Sequence, residues 1–115
     1  MVIKGVSMAV IAITEQNHKK EIEESTKPVI LDIYAPWCGP CQHMMPIVDE
    51  LEKELSDLYK FAKINVDEAR ELSIKYGVSS VPTFVFIKDN EVKGKETGYM
   101  SKNDLKAKID THLGS

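Results

Sequence analysis

Cys38 and Cys41 are the only thiols in the chain, and they stand three positions apart. A thiolate is both a nucleophile and a metal ligand, so the pair admits disulfide exchange or metal binding. As a staple it is badly placed. A bridge across so short a loop contributes roughly 2 kcal/mol in the chain-entropy model, against about 4.7 kcal/mol for a loop of a hundred residues. Structural zinc needs two further ligands. His43 lies two positions past Cys41, where a helix turns it away, and His18 and His112 are far along the chain. A c-type haem site wants His directly after the second cysteine, and Gln42 stands there. Two inert buried cysteines also fit the pattern, but a CxxC pair in a βαβ setting reads first as a redox motif.

The spacing gives the two sulfurs different work. Residues three apart at a helix start face the same way, and the first turn can tighten enough to close a disulfide. Cys38 falls at the helix N-terminus, where unpaired N–H groups and the macrodipole favour a thiolate. Cys41 lies one turn inside and is expected to be less exposed. Cys38 is therefore the nucleophile, and Cys41 resolves the mixed disulfide it forms. Gly39 lets a partner's backbone come close, and Pro40 lacks an N–H that the first turn would leave unpaired.

The elements that must hold this pair alternate. Met8–Ile13 reads as a strand, Glu15–Ser25 as a charged helix anchored by Ile22, and Val29–Ala35 as a central strand interrupted by Asp32. Cys41–Leu58 is the longest helix, with Met44, Ile47, Val48, Leu51, Leu55 and Leu58 at helical spacing. Asp49, Glu50, Glu52, Lys53, Glu54 and Asp57 read as its solvated face. Phe61–Val66 is a strand, and Glu68–Tyr76 a short helix stopped by Gly77. Thr83–Ile87 and Val92–Thr97 flank a hairpin turn at Asp89-Asn90. A last helix opens at Ser101 and buries Leu105, Ile109 and Leu113. The order β-α-β-α-β-α-β-β-α predicts an α/β fold, a central mixed sheet with helices on both faces.

At 115 residues, 43% hydrophobic and 29% charged, the chain reads as one globular domain. A net charge of -3 argues against a nucleic-acid or anionic-membrane partner. No apolar stretch approaches the roughly 20 residues of a membrane span. Val6–Ile13 reaches the lower length of a signal peptide's apolar core. Its β-branched residues and the lack of a small-x-small cleavage site favour a strand and a cytoplasmic protein.

Trp37-Cys38-Gly39-Pro40-Cys41 resembles the active-site signature of the thioredoxin family, and the chain is similar to that family from Met8 to Leu113. The resemblance implies the thioredoxin fold and a protein-disulfide reductase whose only redox group is the Cys38–Cys41 disulfide, with no bound cofactor or metal. It implies disulfide-containing target proteins and a thioredoxin reductase, NADPH- or ferredoxin-linked, as partners of a monomer. Asp32 matches the family's buried carboxylate, Lys63 the lysine near it, and Val81-Pro82-Thr83 the loop whose proline is cis. Gly98 matches a glycine at the edge of the substrate groove, and Pro46 the proline that kinks the active-site helix. The implied groove runs along Trp37, Val66, Val81, Thr83 and Gly98.

The residues also speak for themselves. Asp32 interrupts a buried strand, where desolvation raises a carboxyl's pKa and fits it to take the proton of Cys41. Lys63 alone reads as a snorkelling surface lysine; its place near the carboxylate, where it would temper that shift, is what the resemblance implies. Trp37, beside the nucleophile, is expected to be an exposed wall of the groove. Tyr34 stands where many family members carry Trp, Gln42 where a lysine is common, and Asn90 where glycine is usual. His18, in place of an apolar anchor, reads as a surface or half-buried residue. Residues 1–7 extend beyond the family's start, so Met8 is a candidate initiator. Two rival readings are a thiol oxidase or isomerase of the same fold, and a non-catalytic binding module or dimer bridged by a [2Fe–2S] cluster.

Overall fold

Val29–Ala35 supplies the central strand of the sheet, β2 (Val29–Tyr34), in a computed structural model that describes residues 9–114. The expected extension 1–7, and Met8 at the head of the first strand, lie outside those residues. With β1 (Ile11–Ala12), β3 (Lys60–Asn65), β4 (Thr83–Lys88) and β5 (Glu91–Thr97), the sheet order is β1-β3-β2-β4-β5. The first three strands are parallel, and β4 and β5 run antiparallel to their neighbours. The mixed sheet is the expected one.

Alternation along β2 divides the core into two layers. Val29, Leu31 and Ile33 pack with Ile22, Leu72 and Tyr76 on one face. Ile30 packs with Met44, Val48, Leu51, Leu105 and Ile109 on the other. The helices α1 (Gly39–Leu55) and α3 (Lys102–Leu113) cover that second face. The short helix α2 (Arg70–Lys75) covers the first, with one wide π turn at Lys19–Glu23. No helix of the described residues is long and apolar enough to cross a membrane.

Several boundaries differ from the sequence reading, each for a local reason. β1 is only two residues long because Asn17 turns the chain away: its side chain accepts from Thr14 N–H at 2.7 Å and donates to Ala12 O at 2.9 Å. The expected helix Glu15–Ser25 shrinks to the π turn, since one apolar anchor, Ile22, gives a longer helix nothing to bury. His18 is buried rather than at the surface or half-buried. Its Nε2 lies 2.6 Å from the Tyr76 hydroxyl, a hydrogen bond that makes burial tolerable.

The α1 helix ends at Leu55, and Leu58 is 64% exposed instead of packed. Glu52 is buried rather than on the solvated face, because it follows Val48 by one turn and so lies at the margin of the apolar stripe. Gly77 closes α2 at φ +70°, and Asp89 and Asn90 both take positive φ in the two-residue hairpin turn. Ser101 Oγ accepts the Asp104 N–H at 3.1 Å and caps α3.

At Gly94 a side chain of α3 lies directly against β5. The His112 ring stacks on Phe86 at 4.8 Å, bonds to Glu96 at 2.8 Å, and covers the Gly94 Cα. A Cβ at Gly94 would overlap that ring. Gly94→Ala should therefore cost about 1–3 kcal/mol, the usual range for overpacking, read as a lowered urea midpoint at unchanged slope.

Candidate active site

The strand β2 delivers the chain to the N-terminus of α1, and the two cysteines span that junction. Cys38 is extended, at φ -92° and ψ 116°, and is the cap of the helix: its Sγ accepts the Cys41 N–H at 3.2 Å. That is a hydrogen bond to the sulfur itself, at the positive end of a 17-residue helix. Both features favour a thiolate on Cys38 once the pair is reduced. The helix starts two residues before the expected Cys41 because Gly39 and Pro40 form its first turn, where proline is pre-shaped to fit.

Cys38 and Cys41 are joined as a disulfide, with Cα atoms 5.2 Å apart. Cys41 is the more deeply buried of the two, 1% exposed against 7% for Cys38. Gly39 and Pro40 are exposed beside them, and open space surrounds the position of a Gly39 side chain. Gln42 does something its sequence position did not reveal. Its Nε2 donates to Pro36 O at 3.0 Å and ties the loop before Cys38 to the helix after it.

Asp32 lies in the middle of β2 and is 3% exposed. Its Oδ1 has no hydrogen-bond partner among the described residues. Burial pushes its pKa from 3.8 up to about 7; Lys63 pulls it back and Asp49 pushes it further. Lys63 is Asp32's register partner on the parallel strand β3, so the two side chains lie side by side on the α1 face. Asp32, Lys63, Met45 and Asp49 together line a cavity of about 70 Å³, roomy enough for water. Met45 follows Cys41 by one helical turn on the same face of α1. The cavity thus sets the carboxyl of Asp32 beside the turns of α1 that directly follow Cys41.

Val66 and Val81 pack against the disulfide, and the loops that carry them border its outer side. The Val81-Pro82 bond is cis, and the Val81 carbonyl lies 3.8 Å from Cys38 Sγ. Gly98, at φ +102°, donates its N–H to Pro82 O at 2.9 Å. Val66 bonds to Tyr34 O at 2.9 Å at the end of the sheet, and Trp37 stands 72% exposed. Trp37, Val66 and Val81 line one open groove of about 660 Å³. Thr83 does not line it. Its side chain is buried at the start of β4, where Oγ1 donates to Ser80 O at 2.7 Å and lies 3.1 Å from the Thr97 hydroxyl. Gly98 borders the site through Pro82 rather than through this groove.

The groove has a further wall that sequence reasoning missed: Asp67, Arg70 and Ile74, from the turn before α2 and from α2 itself. The available signal was slight. Arg70 is the chain's single arginine, and Ile74, one turn on, falls outside the apolar pattern of its neighbours.

A family model described as thioredoxin matches residues 9–111. The thioredoxin of Bacillus subtilis (strain 168) is 41% identical over 106 residues, covering 92% of this chain and all of that protein. Thioredoxin 1 of Synechococcus elongatus is 39% identical over 89% of this chain and 95% of its own length. The thioredoxin of Rickettsia prowazekii is 42% identical over 81% of this chain and 89% of its own.

Proposed function

We propose a mechanism from one premise: the chain belongs to the thioredoxin family and is a protein-disulfide reductase working by dithiol–disulfide exchange at Cys38 and Cys41. In the reduced protein the Cys38 thiolate attacks one sulfur of a target disulfide. The target S–S bond breaks, a Cys38–target bond forms, and the departing target thiolate takes up a proton. Asp32 then accepts the proton of Cys41, whose sulfur attacks Cys38 and expels the second target thiolate. Two electrons have passed to the target, and the Cys38–Cys41 disulfide remains. Lys63 tunes the basicity of Asp32.

The observation that carries this division is the helix cap, with Cys38 accepting an N–H as the less buried of the two sulfurs and Cys41 sealed one turn inside. The target lies extended along Trp37, Val66 and Val81, with Gly98 and the buried Pro82 at its border. Gly39 and Pro40 leave that approach open, and Thr83 supports the loop from behind. The dithiol holds both electrons itself, so the cycle asks for no bound cofactor.

The partners in this reading are disulfide-bearing proteins and a thioredoxin reductase, linked to NADPH or ferredoxin, that restores the dithiol. The protein works as a monomer, a single domain, in the cytoplasm.

Equilibration against defined thiol–disulfide buffers tests the direction of electron flow. A midpoint near about -270 mV, the value known for thioredoxin itself, is expected for an electron donor. A value near about -120 mV, that of a strong disulfide-forming oxidant, would reassign the protein to oxidation.

A further inference from the structure

Resting on the reading above, the geometry points to Arg70 and Ile74 as specificity-determining residues that select target cysteines flanked by an acidic side chain in an extended, partly apolar segment. The groove beside Trp37 does not stop at Val66 and Val81. It continues against α2, where Asp67, Arg70 and Ile74 line it. Arg70 and Ile74 are four residues apart on that helix and so share a face. Ile74 is 62% exposed and Trp37 72%, two large apolar side chains left in water on one groove.

Folding explains neither residue of the pair. Ile74 adds nothing to the core. Arg70 is exposed and makes no ion pair among the described residues, although Asp67, Glu68 and Glu71 are its neighbours in sequence. An unengaged guanidinium presents a planar fork that a carboxylate fits with two parallel hydrogen bonds. Asp67 lines the same groove and repels an acid placed opposite it. Recognition is therefore positional: an acidic residue is favoured where it meets Arg70 and disfavoured where it meets Asp67. An extended chain advances about 3.3 Å per residue, so the favoured position falls within a few residues of the reacting cysteine.

The test is a set of short peptides, each carrying one cysteine in a disulfide with free cysteine. Glu or Lys is placed one to four residues to either side of the peptide cysteine. The readout is the ratio of kcat/KM for the Glu peptide to that for the Lys peptide, so that any general loss of rate cancels. At one position the native protein should favour Glu by about fivefold, the upper range for an exposed ion pair. Arg70→Glu should invert that preference, and 0.5 M salt should flatten it. Ile74→Ser should reduce the advantage of a leucine over a serine in the same peptide segment. A ratio near one at every position, or a ratio that Arg70→Glu leaves unmoved, overturns the proposal. Failure of the native protein to reduce any of these peptides would instead count against the reductase reading.

Discussion

Cys41→Ser should turn the protein from a catalyst into a trap. Cys38 keeps its place at the helix cap and still attacks, because what activates it is the first turn of α1 and not the second sulfur. Release is what fails. In the native protein the resolving sulfur stands one turn away, and well-oriented intramolecular attack has an effective molarity of about 10⁵ M or more. With Cys41 gone, only external thiol can free the target, and at millimolar thiol the turnover should fall by at least about a thousandfold. A non-reducing gel or intact-mass spectrum should show a covalent adduct between Cys38 and a disulfide substrate. Cys38→Ser is the matched control, since serine is itself a good helix cap and the fold should survive. That variant should form no adduct. Turnover by Cys41→Ser within tenfold of the native rate, with no adduct, would reject the roles assigned to the two sulfurs.

What the sequence made legible followed from strong local signals. The apolar runs of β2, β3 and β4 each had one way to be buried, between helical layers, so the mixed sheet was predictable from alternation and length. The CxxC pair between a buried strand and an amphipathic helix defined the chemistry. Weak or competing signals were less informative. Glu15–Ser25 carried many charges and one anchor, too little for a long helix, and the burial of His18 against Tyr76 had no signal in the local sequence. Glu52 looked like part of a solvated charge run, yet its position on the helix put it at the margin of the core. Thr83 shared a motif with Pro82 but entered the strand. One wall of the groove comes from α2, about thirty residues beyond the cysteines, where nothing local announces that Arg70 and Ile74 will share a groove with Trp37.

Asp32→Asn should make the protein more stable and slower at once. Its carboxyl holds a proton in the fold up to about pH 7, whereas the unfolded chain loses it near 3.8. Between those values the folded state binds more protons than the unfolded one, so stability falls as pH rises and stays low above about 7. At about 1.4 kcal/mol per pH unit, the full displacement weighs roughly 4 kcal/mol against the native protein at pH 8. Asparagine fills the same space without a charge to desolvate. The variant should therefore gain a few kcal/mol at pH 8, on the order of 10 °C in melting temperature, and gain little below pH 4. The rate moves the other way. Without the buried base beside α1, release of the mixed disulfide at pH 7 should slow by about 10²–10³-fold. The deficit should shrink as pH approaches an ordinary thiol's value of about 8.5, where Cys41 sheds its proton to water unaided. These two readouts separate the structural cost of the buried carboxyl from its use. Stabilisation with an unchanged rate would leave Asp32 a buried acid with no part in the chemistry. Stabilisation with a pH-dependent loss of resolution ties its desolvation to the step it serves, because the burial that penalises the fold also brings the carboxyl into the range where it can take a proton from a thiol and return it.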